Sequence, residues 1–176
     1  MYAALDALGI SYERHEHPPV FTGEEAARHW AGIDGTQCKN LFLRNKKGNR
    51  HYLVVLDISK QADLRHVAKL VSDDRLSFGS PERLMARLGL TPGSVSPFGL
   101  INDADHSVRV LIDRDLRNAN RLIFHPNINT ASVVVTWTDF ERFLESRGNV
   151  VSYVNLGSPA EHADGQSNKN PSSTDS

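Results

Sequence analysis

The sequence predicts a single α+β domain built on a mixed, largely antiparallel sheet flanked by helices. Three observations carry that prediction. Apolar runs of strand length alternate with short segments of helical spacing along the chain. Helix-start and helix-stop residues recur between them. One pair of strand-like runs is joined by a turn-forming pentapeptide, which makes it a hairpin. A chain of 176 residues is long enough for one domain to bury a core without staples.

Taken in order, residues 1–8 have the apolar spacing of a helix, and Gly9 is placed to stop it. Residues 11–17 read as a strand running into Pro18 and Pro19. Thr22, with Glu25 three residues later, forms a capping box that opens a helix to about Ala31. Residues 39–44 and 51–57 are strands around Asn45-Lys46-Lys47-Gly48-Asn49, a hairpin turn. Residues 62–71 read as a helix. Ser80-Pro81-Glu82 starts another, with serine as cap and proline in the first turn, and Gly89 ends it. Strands follow at 108–113, 122–124 and 132–135. Thr138 and Glu141 form a second capping box, opening a helix to about Ser146 before Gly148, and a last strand covers 150–154. From Gly157 to Ser176 the chain is polar with almost nothing to bury. The domain is therefore assigned to 1–156 and a disordered polar tail to 157–176.

Composition narrows the function class. Hydrophobic residues make up 39% and charged residues 23%, the profile of a soluble globular protein. Cys38 is the single cysteine, so no intrachain disulfide forms and nothing points to an oxidising compartment. No basic-then-apolar leader pattern opens the chain, and no apolar stretch approaches the roughly 18–20 residues that span a bilayer. A cytoplasmic protein without membrane association is expected. The net charge of −1 argues against coating of long nucleic acid but not against local contact. Basic residues gather at Lys39, Arg44, Lys46, Lys47 and Arg50, and again at Arg75, Arg83 and Arg87.

The most informative segment is Gly93-Ser94-Val95-Ser96-Pro97-Phe98-Gly99, which continues to Asn102. Two glycines and a proline interrupt an apolar run, so the chain turns sharply and re-enters the core. Such a loop exposes backbone N–H groups that can hold a carbonyl oxygen or an oxyanion. Upstream, Lys39-Asn40 lies in an otherwise apolar strand. Downstream, His125 ends a strand before Pro126 and is followed by the polar residues Asn127, Asn129 and Thr130. Nucleotide-binding glycine motifs, a GxSxG elbow and HExxH are absent. His15 and His17 alternate on a strand at a spacing that can bind metal, but no third ligand accompanies them, and no metal or cofactor is expected. Cys38 on a strand reads as packing rather than as a nucleophile.

The segments Thr36–Leu43, Gly93–Asp103 and Phe124–Ser132 resemble the free-standing prolyl-tRNA editing proteins. These are relatives of the insertion domain of bacterial prolyl-tRNA synthetase, within the YbaK-like deacylases. The resemblance runs from the first helix to about Leu156. The run Phe124-His125-Pro126, with Asn129-Thr130-Ala131, is most similar to the ProXp-ala or PrdX branch, which clears alanine from tRNA for proline. The resemblance implies that Lys39 lies near the terminal adenosine and phosphate, and that the loop Gly93, Ser94, Val95, Ser96, Pro97 grips the ester carbonyl. It also implies that His125 stands beside the aminoacyl pocket. Asn40, Phe98, Gly99, Asn127 and Asn129 complete the expected substrate-binding set. Implied partners are the acceptor end of aminoacylated tRNA for proline and, transiently, prolyl-tRNA synthetase. A monomer is expected.

The residues suit that chemistry. An aminoacyl ester is already activated, so positioned oxyanion donors, a cation for the phosphate end and a small dry pocket suffice, with the vicinal ribose hydroxyl assisting water. Val95, Phe98, Leu100 and Ile33 are the apolar pocket candidates. The alternatives are a deacylase for another small residue, cysteine or serine, and a non-catalytic module that binds tRNA or a small molecule.

Overall fold

The computed structural model describes residues 1–157, so all of the predicted polar tail beyond Gly157 lies outside the described residues. The expected α+β architecture is observed. The helices are α1 (Tyr2–Ala7), α2 (Gly23–Trp30), α3 (Leu64–Leu70), α4 (Pro81–Leu88) and α5 (Trp137–Arg147). The strands are β1 (Glu13–Glu16), β2 (Thr36–Asn45), β3 (His51–Asp57), β4 (Leu76–Phe78), β5 (Val108–Asp113), β6 (Arg121–Phe124), β7 (Ala131–Thr136) and β8 (Val151–Val154). They form one sheet in the order β1-β7-β6-β2-β3-β5-β8, with β4 added to the far end of β2. The β1–β7, β6–β7, β2–β3 and β2–β4 pairs are antiparallel. The β2–β6, β3–β5 and β5–β8 pairs are parallel.

Strand β3 explains the layering. Its residues are buried on both faces, as expected of a central strand covered on both sides. Leu53 and Val55 face α1, α4 and α5 through Leu5, Leu84, Leu88, Phe140 and Phe143. Tyr52, Val54 and Leu56 face Val67 and Ala68 of α3. Further along the same sheet, Ile123 and Val134 receive Val20 together with Ala26 and Trp30 of α2. Each such side chain contributes roughly 1.5–3 kcal/mol on burial. Among the described residues no helix is long and apolar enough to cross a membrane.

The local signals were mostly obeyed. Thr22 and Glu25 form both halves of the capping box on α2. Ser80 caps α4, which ends on left-handed Gly89 (φ +63°). One expectation was misplaced. Helix α5 is capped by Thr136, whose side chain accepts from the Asp139 N–H, and Thr138 lies inside the first turn. The same threonine-to-acid spacing occurs twice, and the end of β7 selects the earlier one. Strand β4 and the two 3-10 turns, Pro97–Asn102 and Arg114–Asn118, were not anticipated. β4 has three residues and is a strand only because Leu43 to Asn45 of β2 lie beside it.

Candidate active site

The sheet opens where β2 leaves β6. The two strands run parallel at Thr36 and Gln37, opposite Leu122 and Ile123, and then separate. β2 acquires its next neighbour on that edge, β4, at Leu43. The residues between lie along an opening into which the ends of both strands feed. Hydrogen bonds from Ile58 N–H to Gln37 O and from Asn45 N–H to Arg50 O set the phase of the β2–β3 ladder. Alternate residues of an antiparallel strand direct their backbone groups to opposite sides, so the Asn40 N–H faces the opening.

A cavity of about 160 Å³ occupies this opening. β2 supplies Cys38, Lys39 and Asn40, and the residue after β6 supplies His125. The loop before the 3-10 turn supplies Gly93 and Val95, whereas α2 and the segment preceding it supply Val20, Phe21, Ala26 and Trp30. Lys39, the glycine loop and His125, far apart in sequence, therefore share one cavity.

The loop conformation sorts the predicted residues. Gly93 has φ +86°, a left-handed conformation that favours glycine. The Ser94 N–H bonds Thr91 O, and its hydroxyl donates to the same carbonyl at 2.8 Å. Ser96 caps the following turn by accepting from the Phe98 N–H, and the Gly99 N–H bonds Ser96 O. Among the described residues, the N–H groups of Gly93, Val95 and Ser96 meet no protein acceptor. Gly93 and Val95 line the cavity; Ser94, Ser96 and Pro97 shape the loop from its buried side.

Other predicted residues lie outside the cavity. Phe98 is fully buried and packs edge-on against Phe124 and Phe143, and Leu100 is also in the core. The 3-10 turn swings both inward, so of the four apolar candidates Val95 reaches the cavity. Ile33 packs with the Trp30 cluster instead. Gly99 sits where an added Cβ would lie 2.7 Å from Leu90 Cδ1. Asn127, at φ +65°, donates to Phe98 O, and Asn129 donates to Val20 O at 3.0 Å. These two asparagines brace the cavity's walls from behind.

Among the described residues, the polar groups at the site have no acidic partner in contact. Lys39 is half-buried, and loss of hydration holds its pKa below the ordinary lysine range, opposed by the Asp57 carboxylate. Asn40 Nδ2 donates to Val95 O at 3.1 Å, tying strand to loop, and its buried Oδ1 has no partner among the described residues. His125 Nδ1 lies 3.3 Å from Ala131 O; because a carbonyl only accepts, the proton resides there and Nε2 keeps its lone pair. Burial pushes the His125 pKa below that of a free imidazole, against the pull of the Ala131 carbonyl and helped by neighbouring His17. Burial drives the Cys38 thiol far up, so it stays protonated and is no nucleophile.

Three further residues support the site; of these the sequence singled out His17 alone, and for metal rather than for this role. The Trp30 indole N–H donates to Ser132 Oγ at 2.5 Å, and Ser132 Oγ lies 2.9 Å from His17 Nε2. His17 Nδ1 reaches Pro18 O at 2.8 Å, which assigns its proton there and makes Ser132 the donor to Nε2. His17 thus serves this chain, and His15 lies 3.6 Å from Glu13. The Trp30 and His125 rings are 5.5 Å apart, so one buried hydroxyl fixes the aromatic wall around His125. A buried serine seven residues after His125, the second residue of β7, gives no sequence signal of this kind.

Arg83 and Arg87 of the second basic group join Arg44 of the first on the hairpin side. The Arg83 guanidinium donates to Gly48 O at 2.7 Å, bringing α4 onto the Lys46–Lys47 turn. Arg87, Arg83 and Arg44 all help burial to depress the pKa of His51.

Known proteins resemble this chain over most of its length. Residues 17–143 match the family described as aminoacyl-tRNA editing domain. The chain is 40% identical over 156 residues to the prolyl-tRNA editing protein ProX of Acetoanaerobium sticklandii, covering 88% of this chain and 94% of that one. It is 33% identical over 143 residues to prolyl-tRNA synthetase associated domain-containing protein 1 of Danio rerio, covering 80% and 77%. A crystal structure of a candidate trans-editing enzyme for prolyl-tRNA synthetase superposes with a TM-score of 0.65 at 22% identity, covering 88% of this chain and 94% of that one, and shares the fold. With this sequence match spanning the strands, loop and histidine that enclose the cavity, the chain belongs to the aminoacyl-tRNA editing domain family.

Proposed function

We propose that the protein is a trans-acting aminoacyl-tRNA deacylase that hydrolyses alanine from mischarged tRNA for proline. The observation that carries this reading is the single cavity shared by Lys39, the Gly93–Val95 backbone and His125. Water attacks the ester carbonyl, and the resulting oxyanion is held by the free N–H groups of Gly93 and Val95. The vicinal ribose hydroxyl positions the water. The ester C–O bond then breaks, the ribose oxygen takes a proton, and alanine leaves as its carboxylate. Lys39 fixes the phosphate end as a cation, and the orphaned Asn40 Oδ1 and the His125 Nε2 lone pair are acceptors for the α-ammonium of the amino acid. The arginine and lysine face beside the hairpin is suited to phosphates of the acceptor stem.

Selectivity follows from size. A synthetase pocket built for proline rejects alanine weakly, because missing methylenes are worth only about 1–3 kcal/mol. A small second site walled by Val20, Ala26, Trp30 and Val95 admits the alanyl methyl and spares the prolyl ring. The test is hydrolysis of tRNA for proline charged with alanine, cysteine, serine or proline. Rapid release of alanine with proline retained supports the reading. Preferential release of cysteine or serine reassigns the substrate, and tight tRNA binding without turnover of any ester contradicts the enzyme.

A further inference from the structure

We infer that Phe21 is the stacking platform for the nucleobase of the terminal nucleotide that carries the acyl group. This deepens the deacylase reading and rests on it. Two independent observations lead here. The first is size. The cavity's volume of about 160 Å³ lies below the ~300–1,000 Å³ typical of sites that enclose a whole small ligand. It takes an alanyl group and the ester, and leaves the nucleoside outside on the rim. The second is what the rim offers. Phe21 lines the mouth and is 71% exposed, an apolar residue that buries little surface in the protein itself.

The backbone that carries the ring is also held in place. The Phe21 N–H donates to Glu25 Oε2 at 2.7 Å, adding to the capping box that fixes the start of α2. The next residue upstream, Val20, is tied through its N–H to Asn129 O and through its own carbonyl to Asn129 Nδ2. The Phe21 backbone is therefore pinned from both sides. The ring stands over the glycine loop, with Cδ1 3.8 Å from the position of a Cβ built on Gly93. A base laid on this face would lie beside Gly93, in the mouth of the cavity that Gly93 and Val95 also line. Aromatic stacking tolerates any base and adds affinity through the π-face, which suits an invariant terminal nucleotide held without hydrogen-bond readout.

The test compares wild type, Phe21→Ala and Phe21→Trp on alanyl-tRNA for proline and on the same tRNA with an abasic terminal nucleotide. With the normal substrate, Phe21→Ala should raise KM about 5- to 150-fold, the equivalent of the ~1–3 kcal/mol of one stacked base, with kcat within about twofold. Phe21→Trp should restore KM. On the abasic substrate the wild type should lose the same factor, and Phe21→Ala should lose nothing more. An unchanged KM in Phe21→Ala, or equal losses on both substrates, overturns the stacking role while leaving the deacylase reading standing. A wild type inactive on alanyl-tRNA overturns the deacylase reading itself, and the stacking role with it. Because Phe21 is mostly exposed, thermal unfolding of the variants should match wild type, so the kinetic effect is separable from misfolding.

Discussion

The ammonium of Lys39 is partly stripped of water at the cavity wall, a cost the folded protein bears to keep a cation there. Lys39→Ala should lower kcat/KM by about 10²–10³-fold, in the range of losing one electrostatic stabiliser. Its unfolding midpoint should stay level or rise slightly, because a desolvated charge is removed. Full activity in this variant would take Lys39 out of the mechanism. Gly93→Ala tests the loop differently. An added Cβ would meet nothing nearer than Val20 O at 3.6 Å, so the strain is in the left-handed backbone, at about 1–2 kcal/mol. We expect a melting temperature lowered by about 2–8 °C and a larger proportional loss of rate, since the same rotation misaims the Gly93 and Val95 donors. Unaltered rate in a destabilised variant would exclude those donors. His125 gives a pH signature. Its folded-state pKa lies below the ~6.5 of a free imidazole, so as pH falls below that value the unfolded chain takes up a proton the native state refuses. Stability should decline from about pH 6.5 down to the folded pKa and level off beneath it. His51, depressed by burial and by arginines, acts in the same direction. His125→Asn should therefore flatten part of the decline in urea midpoint between pH 7 and 5, with the His51 part retained. An unchanged slope would mean that His125 is not held neutral.

At the scale of elements, local chemistry was readable wherever one residue dictates a backbone state. Gly89 and Gly148 end helices in the left-handed conformation, and Thr22 opens α2 with Glu25, as their sequence positions announced. Where two equivalent signals competed, tertiary context chose. Thr136 and Thr138 each precede an acid by three residues, and β7 runs on until Thr136. Thr136→Ala should accordingly cost about 1 kcal/mol, or roughly 2–4 °C in melting temperature, and Thr138→Ala almost none. Equal effects would return the cap to the sequence-based position. β4 was illegible for the same reason: three residues carry no period, and their pairing with Leu43 to Asn45 is a property of β2.

At the scale of the molecule, the fold class and the three site segments were visible in the sequence, because glycine, proline and a lysine in an apolar strand are locally costly choices. What stayed hidden was which side of each segment faces the cavity. Phe98 and Leu100 are apolar and adjacent to the loop, yet the 3-10 turn commits them to the core. Ala26, Trp30 and Val20 form the wall instead, because α2 docks on Ile123 and Val134 across the opening between β2 and β6. The most direct test of this convergence is NMR contact mapping with 3′-deoxy-3′-(alanylamino)adenosine, a non-hydrolysable amide analogue of the terminal aminoacyl nucleoside. Cross-peaks should connect its alanyl methyl to the methyls of Val20, Ala26 and Val95 and to the Trp30 ring. Cross-peaks to a different surface, or none at saturating ligand, would contradict a shared cavity for the acyl group.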